Sequence, residues 1–149
     1  MQSQINETMH LIHMDAHFLA MDPKKVAVIK AESLGFKNFP GLRSMPSEFL
    51  MEAFLVEAWM RGLKAAIEEC QLTVHRENTG LGPIVSDDEE LALISARVAG
   101  FNSSMSSTVP AKFTERPGLA EAWREGFEAF AVESQIIVSF ENRKARSLH

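Results

Sequence analysis

Apolar residues recur at spacings of three and four along most of the 149-residue chain, and the pattern breaks at Pro, Gly and Asn. This spacing is typical of amphipathic α-helices, whereas the alternation expected of β-strands is nearly absent. A first helix is predicted over residues 5–21. Asp22 and Pro23 then suit the N-cap and the first turn of a second helix, which Gly35 should end.

Three further helices are predicted, and their approximate bounds are Pro46 to Cys70, Leu91 to Val98, and Pro117 to beyond Phe127. Ser86 with Glu89 forms a capping box in front of the middle helix of these three, and Gly100 should end it. Residues 134–140 fit either a helix or a short strand. The sequence therefore predicts an all-α protein of about five helices.

The two tryptophans of the chain reveal an internal repeat. Aligning Trp59 with Trp123, a shift of 64 residues, pairs identical residues on both sides. These are Pro46, Phe49, Leu55, Glu57, Ala58, Gly62, Ala65 and Glu69 with Pro110, Phe113, Leu119, Glu121, Ala122, Gly126, Ala129 and Glu133. Upstream, a shift of 65 pairs Asp22, Ala27, Ile29, Ala31, Gly35 and Phe36 with Asp87, Ala92, Ile94, Ala96, Gly100 and Phe101. A single-residue insertion or deletion in the intervening loop reconciles the two shifts.

The repeat predicts a single domain, residues 1–149, that contains two copies of one helix-loop-helix unit. Its parts are a leading helix (1–21), copy one (22–69), a linker (70–86), copy two (87–133) and a C-terminal tail (134–149). Neither copy is long enough to bury much core alone. We therefore expect the copies to pack on each other in a pseudo-twofold arrangement.

Each copy carries a Trp and a Gly on one face of its long helix, Trp59 with Gly62 and Trp123 with Gly126. Glycine inside a helix costs about 1 kcal/mol against alanine, so its presence in both copies indicates that something large lies against it. Two interpretations stay open. The Trp and Gly of one copy pack against the other copy, or the face is a groove that binds a partner.

Charge is distributed unevenly between the two copies. The chain has 15 Lys and Arg against 20 Asp and Glu, a net charge of −5, which disfavours a generic nucleic-acid-binding protein. Copy two alone has nine acidic and four basic residues, and it begins with Asp87, Asp88, Glu89 and Glu90. This acidic face is a candidate for binding a partner, for example by mimicking a nucleic acid.

Copy two is predicted to have a helix that ends in Gly100, then a loop, then a second helix. The loop carries Pro110 and Phe113, and the second helix carries Leu119, Ala122, Trp123, Gly126, Phe127 and Ala129. Copy one repeats the helix pattern with Leu55, Ala58, Trp59, Gly62 and Leu63. Over about a third of the chain, this pattern resembles the ribosome modulation factor family. The resemblance implies a helical hairpin fold and binding to the ribosome. The basic residues for such contact would be Lys24, Lys25, Lys30, Lys37 and Arg43, with a solvated surface as the alternative.

Candidate catalytic or metal-binding residues are few. His10, His13 and His17 fall on one stripe of the first predicted helix, and imidazole is a common metal ligand. The stripe spans about 10 Å, too far for all three side chains to bind one ion easily, so an exposed stripe is favoured over a metal site. Cys70 has no basic neighbour to activate it, and the chain has no phosphate-binding glycine loop or nucleophile elbow. The sequence thus predicts no cofactor and favours a protein that is not an enzyme.

A single cysteine and the lack of a basic, then apolar, leader predict a cytoplasmic location. The longest uncharged stretch, residues 98–111, is too short and polar to span a membrane. We expect a regulatory or adaptor protein, such as a phage- or plasmid-type inhibitor, that binds a protein partner through its repeat faces, with self-association as a further option. The alternatives are a ribosome-associated factor that uses the basic patch and a helical metal-binding protein or enzyme that uses the histidine stripe.

Overall fold

The computed structural model describes residues 21–41, 44–81 and 85–147, with side chains up to residue 135. Every regular element within these ranges is helical, which confirms an all-α fold with about five helices. The elements are α1 (Pro23–Asn38), a 3₁₀-helix (Ser47–Met51), α2 (Ala53–Thr79), α3 (Glu89–Phe101), α4 (Ala111–Thr114) and α5 (Pro117–Ser147). The predicted leading helix lies outside the described residues.

The start of α1 follows the sequence prediction, but its end does not. Asp22 is the N-cap, its carboxylate accepts a hydrogen bond from the Lys24 backbone N–H at 2.9 Å, and Pro23 occupies the first turn. Gly35, however, lies inside α1, which continues to Asn38. A glycine costs a helix only about 1 kcal/mol, so packing against another helix outweighs its tendency to end one.

Other helix boundaries also differ from the predicted ones. The second helix, α2, runs through the first ten residues of the predicted linker to Thr79, and its C-cap is Gly80, whose φ of 69° is left-handed. The N-cap of α3 is Asp88, which accepts from the Leu91 N–H at 3.2 Å; Ser86 instead accepts from the Asp88 N–H. The same helix continues through Gly100, its predicted end, to Phe101. Residues 134–140, which the sequence left open between helix and strand, are part of α5.

The first hairpin consists of α1 and α2, which cross at two glycines. A Cβ atom on Gly35 would overlap the carbonyl oxygen of Trp59, and one on Gly62 would overlap the carbonyl oxygen of Glu32. The two backbones are therefore in direct contact, and this contact explains why only glycine fits at either position.

The second hairpin consists of α3 and α5 and has the same crossing. A Cβ atom on Gly100 would overlap the carbonyl oxygen of Trp123, and one on Gly126 would overlap the carbonyl oxygen of Arg97. These four residues are the repeat counterparts of those in the first crossing. The Trp and Gly of each copy thus pack within their own hairpin, not against the other copy.

The buried apolar residues form two corresponding clusters inside the hairpins. One contains Ala31, Phe49, Leu55, Ala58 and Trp59, and the other contains Ala92, Ala96, Phe113, Leu119, Ala122 and Trp123. Two more clusters join the hairpins: Val26 and Ile29 pack with Ala129 of α5, and their counterparts Leu91 and Ile94 pack with Ala65 of α2. The core therefore follows the repeat alignment, while pseudo-twofold symmetry of the whole chain stays a prediction.

Candidate functional site

The four residues of the predicted Trp-Gly groove lie in the interior. Trp59 is 8% exposed and Trp123 is 4% exposed, and Gly62 and Gly126 contact backbone across their hairpins. A partner could reach them only if the hairpins opened. Any partner-binding surface of the folded protein must therefore consist of other residues.

The predicted basic patch is partly neutralised by copy two. Lys25 Nζ lies 2.9 Å from Glu125 Oε1, and Lys30 Nζ lies 2.7 Å from Glu133 Oε1. Lys24 Nζ lies 4.6 Å from the centre of the Phe54 ring, while Lys37 is exposed. Arg43 lies outside the described residues. The interfacial ion pairs leave less positive charge free for phosphate contact than the sequence alone suggests.

The acidic residues at the start of copy two have different roles. Asp88 caps α3, and Glu89 forms an ion pair with Arg116 at the start of α5. Asp87 and Glu90 are exposed. Two of the four acidic side chains thus hold the ends of α3 and α5 in place, which leaves Asp87 and Glu90 as the available carboxylates of this set.

An ion pair that the sequence pattern did not predict lies between the hairpins. The Glu32 carboxylate is 1% exposed and accepts from Arg97 Nη2 at 2.9 Å and from Arg97 Nε at 3.3 Å. Glu32 and Arg97 are counterparts in the repeat, 65 residues apart, so the pair joins the same position of the two copies. Opposite charges at aligned positions were the signal that could have revealed it.

The outer face of α2 carries exposed apolar side chains. Met60 is 53% exposed, Ile67 is 37% exposed and Val74 is 48% exposed. They follow one another at intervals of seven residues, so they lie along a single stripe of the helix, and exposed Cys70 lies between the last two. The stripe faces away from the buried residues Ala58, Gly62 and Ala65.

The corresponding face of α5 differs. Arg124 takes the place of Met60, and buried Ala131 takes the place of Ile67. The counterpart of Val74 is residue 138, beyond the described side chains. An apolar stripe of this kind is therefore a property of α2 that the internal repeat does not require, which makes it the leading candidate for a binding surface.

No set of three His, Cys, Asp or Glu side chains within the described ranges could hold a metal ion. The predicted histidine stripe, His10, His13 and His17, lies outside those ranges. Within the described ranges, none of the helices combines the length and the apolar character that crossing a membrane requires.

A scan against protein-family models and searches of the curated proteins and the solved structures found no match to this chain. The resemblance to the ribosome modulation factor family consequently stays a prediction.

Proposed function

We propose that this protein is a regulatory or adaptor protein without catalytic activity, and that it binds a partner protein through the apolar stripe of α2. The stripe consists of Met60, Ile67 and Val74, with Cys70 at its edge. The observation that carries the proposal is that three large apolar side chains at heptad spacing remain exposed on a helix whose opposite face is already buried.

Geometry favours a helix as the bound element of the partner. From Met60 to Val74 the stripe extends about 21 Å along a straight helix axis, which matches four turns of a second helix. Apolar side chains repeated every seven residues form the seam against which an amphipathic helix packs. A partner helix with apolar residues on one face would cover the stripe.

Charge favours a partner that is not a second copy. The chain has a net charge of −5, so two copies repel each other, whereas a helix with basic residues beside its apolar face is attracted. We therefore expect a basic amphipathic helix of a partner protein.

The single cysteine allows a site-specific test. A benzophenone attached to Cys70 lies next to Ile67 and Val74 on the helix surface, so irradiation in an extract of the native host should cross-link the partner. The cross-linked protein would then be identified by mass spectrometry. Its recombinant form should bind the purified chain, and the Met60→Lys variant should bind at least about tenfold more weakly because it places a charge in the apolar seam.

Met105→Lys is the matched control, since Met105 is 64% exposed and lies in the loop before α4. It should bind the partner as tightly as the unmodified chain does. Equal loss of binding in both variants would contradict the proposed surface. A cross-link to a second copy would contradict the assignment to a partner protein, and a cross-link to ribosomal components would favour the ribosome-associated alternative instead.

A further inference from the structure

A cavity of about 240 Å³ lies between α2, α3 and α4, and its lining is completed by Phe36 of α1 and by residues 85–86 before α3. Its apolar walls are Phe36, Leu72, Val85, Val98, Ala99 and Phe113. Its polar lining includes Glu68, Glu69, Ser86, Ser95, Asn102 and Lys112. The cavity is on a different side of α2 from the apolar stripe, so its use does not depend on the function proposed above.

The equivalent contact, between α1 and α5, shows which side chain lies in the corresponding place. Glu69 corresponds to Glu133, and Ser95 corresponds to Lys30. At that contact, the Lys30 ammonium of α1 lies 2.7 Å from the Glu133 carboxylate of α5. On the cavity side serine replaces this lysine, which removes both an ammonium group and the methylene chain that carries it.

A second replacement enlarges the same space. Ala99, four residues after Ser95 and therefore one turn along α3, corresponds to Leu34, which packs against the apolar cluster of the first hairpin. Two long side chains of one half are thus two short ones in the other. Ser95 and Ala99 both line the cavity, so their short side chains leave space that the longer side chains of lysine and leucine would take up.

The remaining polar groups favour a cation. The Glu68 carboxylate already accepts a hydrogen bond from Ser86 Oγ at 3.1 Å, whereas Glu69 lacks the lysine that its counterpart has. Lys112 is exposed, and its ammonium lies 5.0 Å from the centre of the Phe113 ring. Two carboxylates and one ammonium give the lining a net negative charge, and the apolar walls suit a hydrocarbon chain.

We infer that this cavity binds a primary alkylammonium group, with its methylene chain against the apolar walls and the Glu69 carboxylate as counter-ion. The bound group occupies the place that the Lys30 side chain occupies in the other half. Two sources carry this chemistry: a small amine or diamine, and a lysine side chain of another protein.

The direct test is a titration of the full chain, uniformly labelled with ¹⁵N, with n-butylamine at pH 7, followed by amide chemical shifts. Shifts should move around the cavity, at Leu72, Ser95, Ala99 and Phe113. 1-Butanol, which has the same chain without the charge, should bind at least about tenfold more weakly, because a hydrogen bond between charged groups contributes more than 1.4 kcal/mol. Equal binding of the alcohol would overturn the inference.

Three variants sharpen the test. Glu69→Gln should weaken n-butylamine binding at least about tenfold, and Ser95→Lys should abolish it by placing a tethered ammonium beside Glu69. Glu133→Gln, the matched change at the contact between α1 and α5, should leave binding unchanged. Circular dichroism of each variant shows that the fold is retained, and unaltered binding by folded Glu69→Gln would overturn the inference.

Two further ligands distinguish the sources. Binding of 1,4-diaminobutane but not of Nα-acetyl-lysine methylamide would support a small-molecule amine as the ligand, and the reverse would support a lysine side chain of a partner. Failure of n-butylamine and of both these ligands to shift any amide around the cavity would overturn the site. It would leave the partner-binding stripe of α2 intact, because that surface is tested separately by cross-linking.

Discussion

Gly62 and Gly126 occupy corresponding places in the two hairpins, and each lies against a carbonyl oxygen of the neighbouring helix. Two residues earlier, Met60 and Arg124 also correspond, but one is apolar and the other charged. The hairpins thus share their interior and differ on their outer faces. Close packing leaves few alternatives inside, whereas an exposed position tolerates change, so the differences are where a function of one half can reside.

The interface between the hairpins shows a second difference. Lys30 and Glu133 form an ion pair on one side, while Ser95 and Glu69 line a cavity on the other. Val26, Ile29 and Ala129 on the first side correspond to Leu91, Ile94 and Ala65 on the second. The cavity therefore follows from particular replacements beside a shared set of apolar contacts. Variants that exchange residues between the halves therefore test both the shared interior and the differing surfaces.

The largest effect is expected at the helix crossings. Gly62→Ala and Gly126→Ala each place a methyl group into a backbone carbonyl, so the helices must separate, and each variant should lose about 3 kcal/mol of unfolding free energy or more. Urea denaturation followed by circular dichroism measures this loss. Gly118→Ala is the control, because its Cβ would lie 3.8 Å from Glu89 Oε1, and it should lose nothing. A tolerated alanine at only one crossing would show that the two interiors are not equivalent.

A smaller loss is expected at the buried ion pair. Glu32→Gln leaves the Arg97 guanidinium without its counter-ion between the hairpins, and since Arg97 is 21% exposed the cost should be about 2 kcal/mol, below that of a fully buried pair. Glu125→Gln, which breaks the more exposed pair with Lys25, should cost less than about 1 kcal/mol. Equal costs in urea denaturation would contradict a central role for the Glu32–Arg97 pair.

Ser95 lies beside Glu69 and Lys30 lies beside Glu133, and exchanging these two residue types should change the unfolding free energy modestly and in opposite directions. Ser95→Lys adds the ion pair that the other half has and should raise the unfolding free energy by up to about 1 kcal/mol. Lys30→Ser removes that pair and should lower it by a similar amount. Thermal unfolding at low and at raised salt measures both changes, and salt should reduce each of them. Destabilisation by Ser95→Lys would mean that the cavity does not accept a lysine side chain.

The smallest effect on stability is expected on the outer face of α2. Met60→Arg gives α2 the residue that α5 has, and because Met60 is 53% exposed the unfolding free energy should change by less than about 0.5 kcal/mol. Partner binding, in contrast, should fall at least about tenfold. A large loss of stability would show that Met60 belongs to the core and would remove the basis for the proposed surface.

Periodicity and the repeat predicted the helical class, the equivalent positions of Trp59 and Trp123 in the two copies, and a large neighbour for Gly62 and Gly126. They did not predict that this neighbour is the backbone of the same hairpin, because periodicity identifies a buried face without identifying what covers it. They also did not predict that α1 continues past Gly35. Helix ends depend on tertiary contacts that a local glycine signal does not contain.

The candidate sites were less predictable than the fold. Spacing alone does not distinguish the exposed stripe with Met60 and Ile67 from the buried face of α2, since both are apolar at helical intervals. The cavity depends on Ser95 and Ala99 being smaller than their counterparts. That comparison has meaning only once the structure places both positions at the contact between α2 and α3.

The most direct test of the account is to exchange the two pairs of side chains. The variant Lys30→Ser, Leu34→Ala, Ser95→Lys, Ala99→Leu has an unchanged composition, and it should move the cavity from the contact between α2 and α3 to the contact between α1 and α5. On titration with n-butylamine, we expect the amide shifts to disappear around Glu69 and to arise around Glu133, at the contact between α1 and α5. Shifts that stay around Glu69, or that arise around neither carboxylate in a folded protein, would contradict the claim that the two hairpins share one interior and that these four residues decide where the cavity lies.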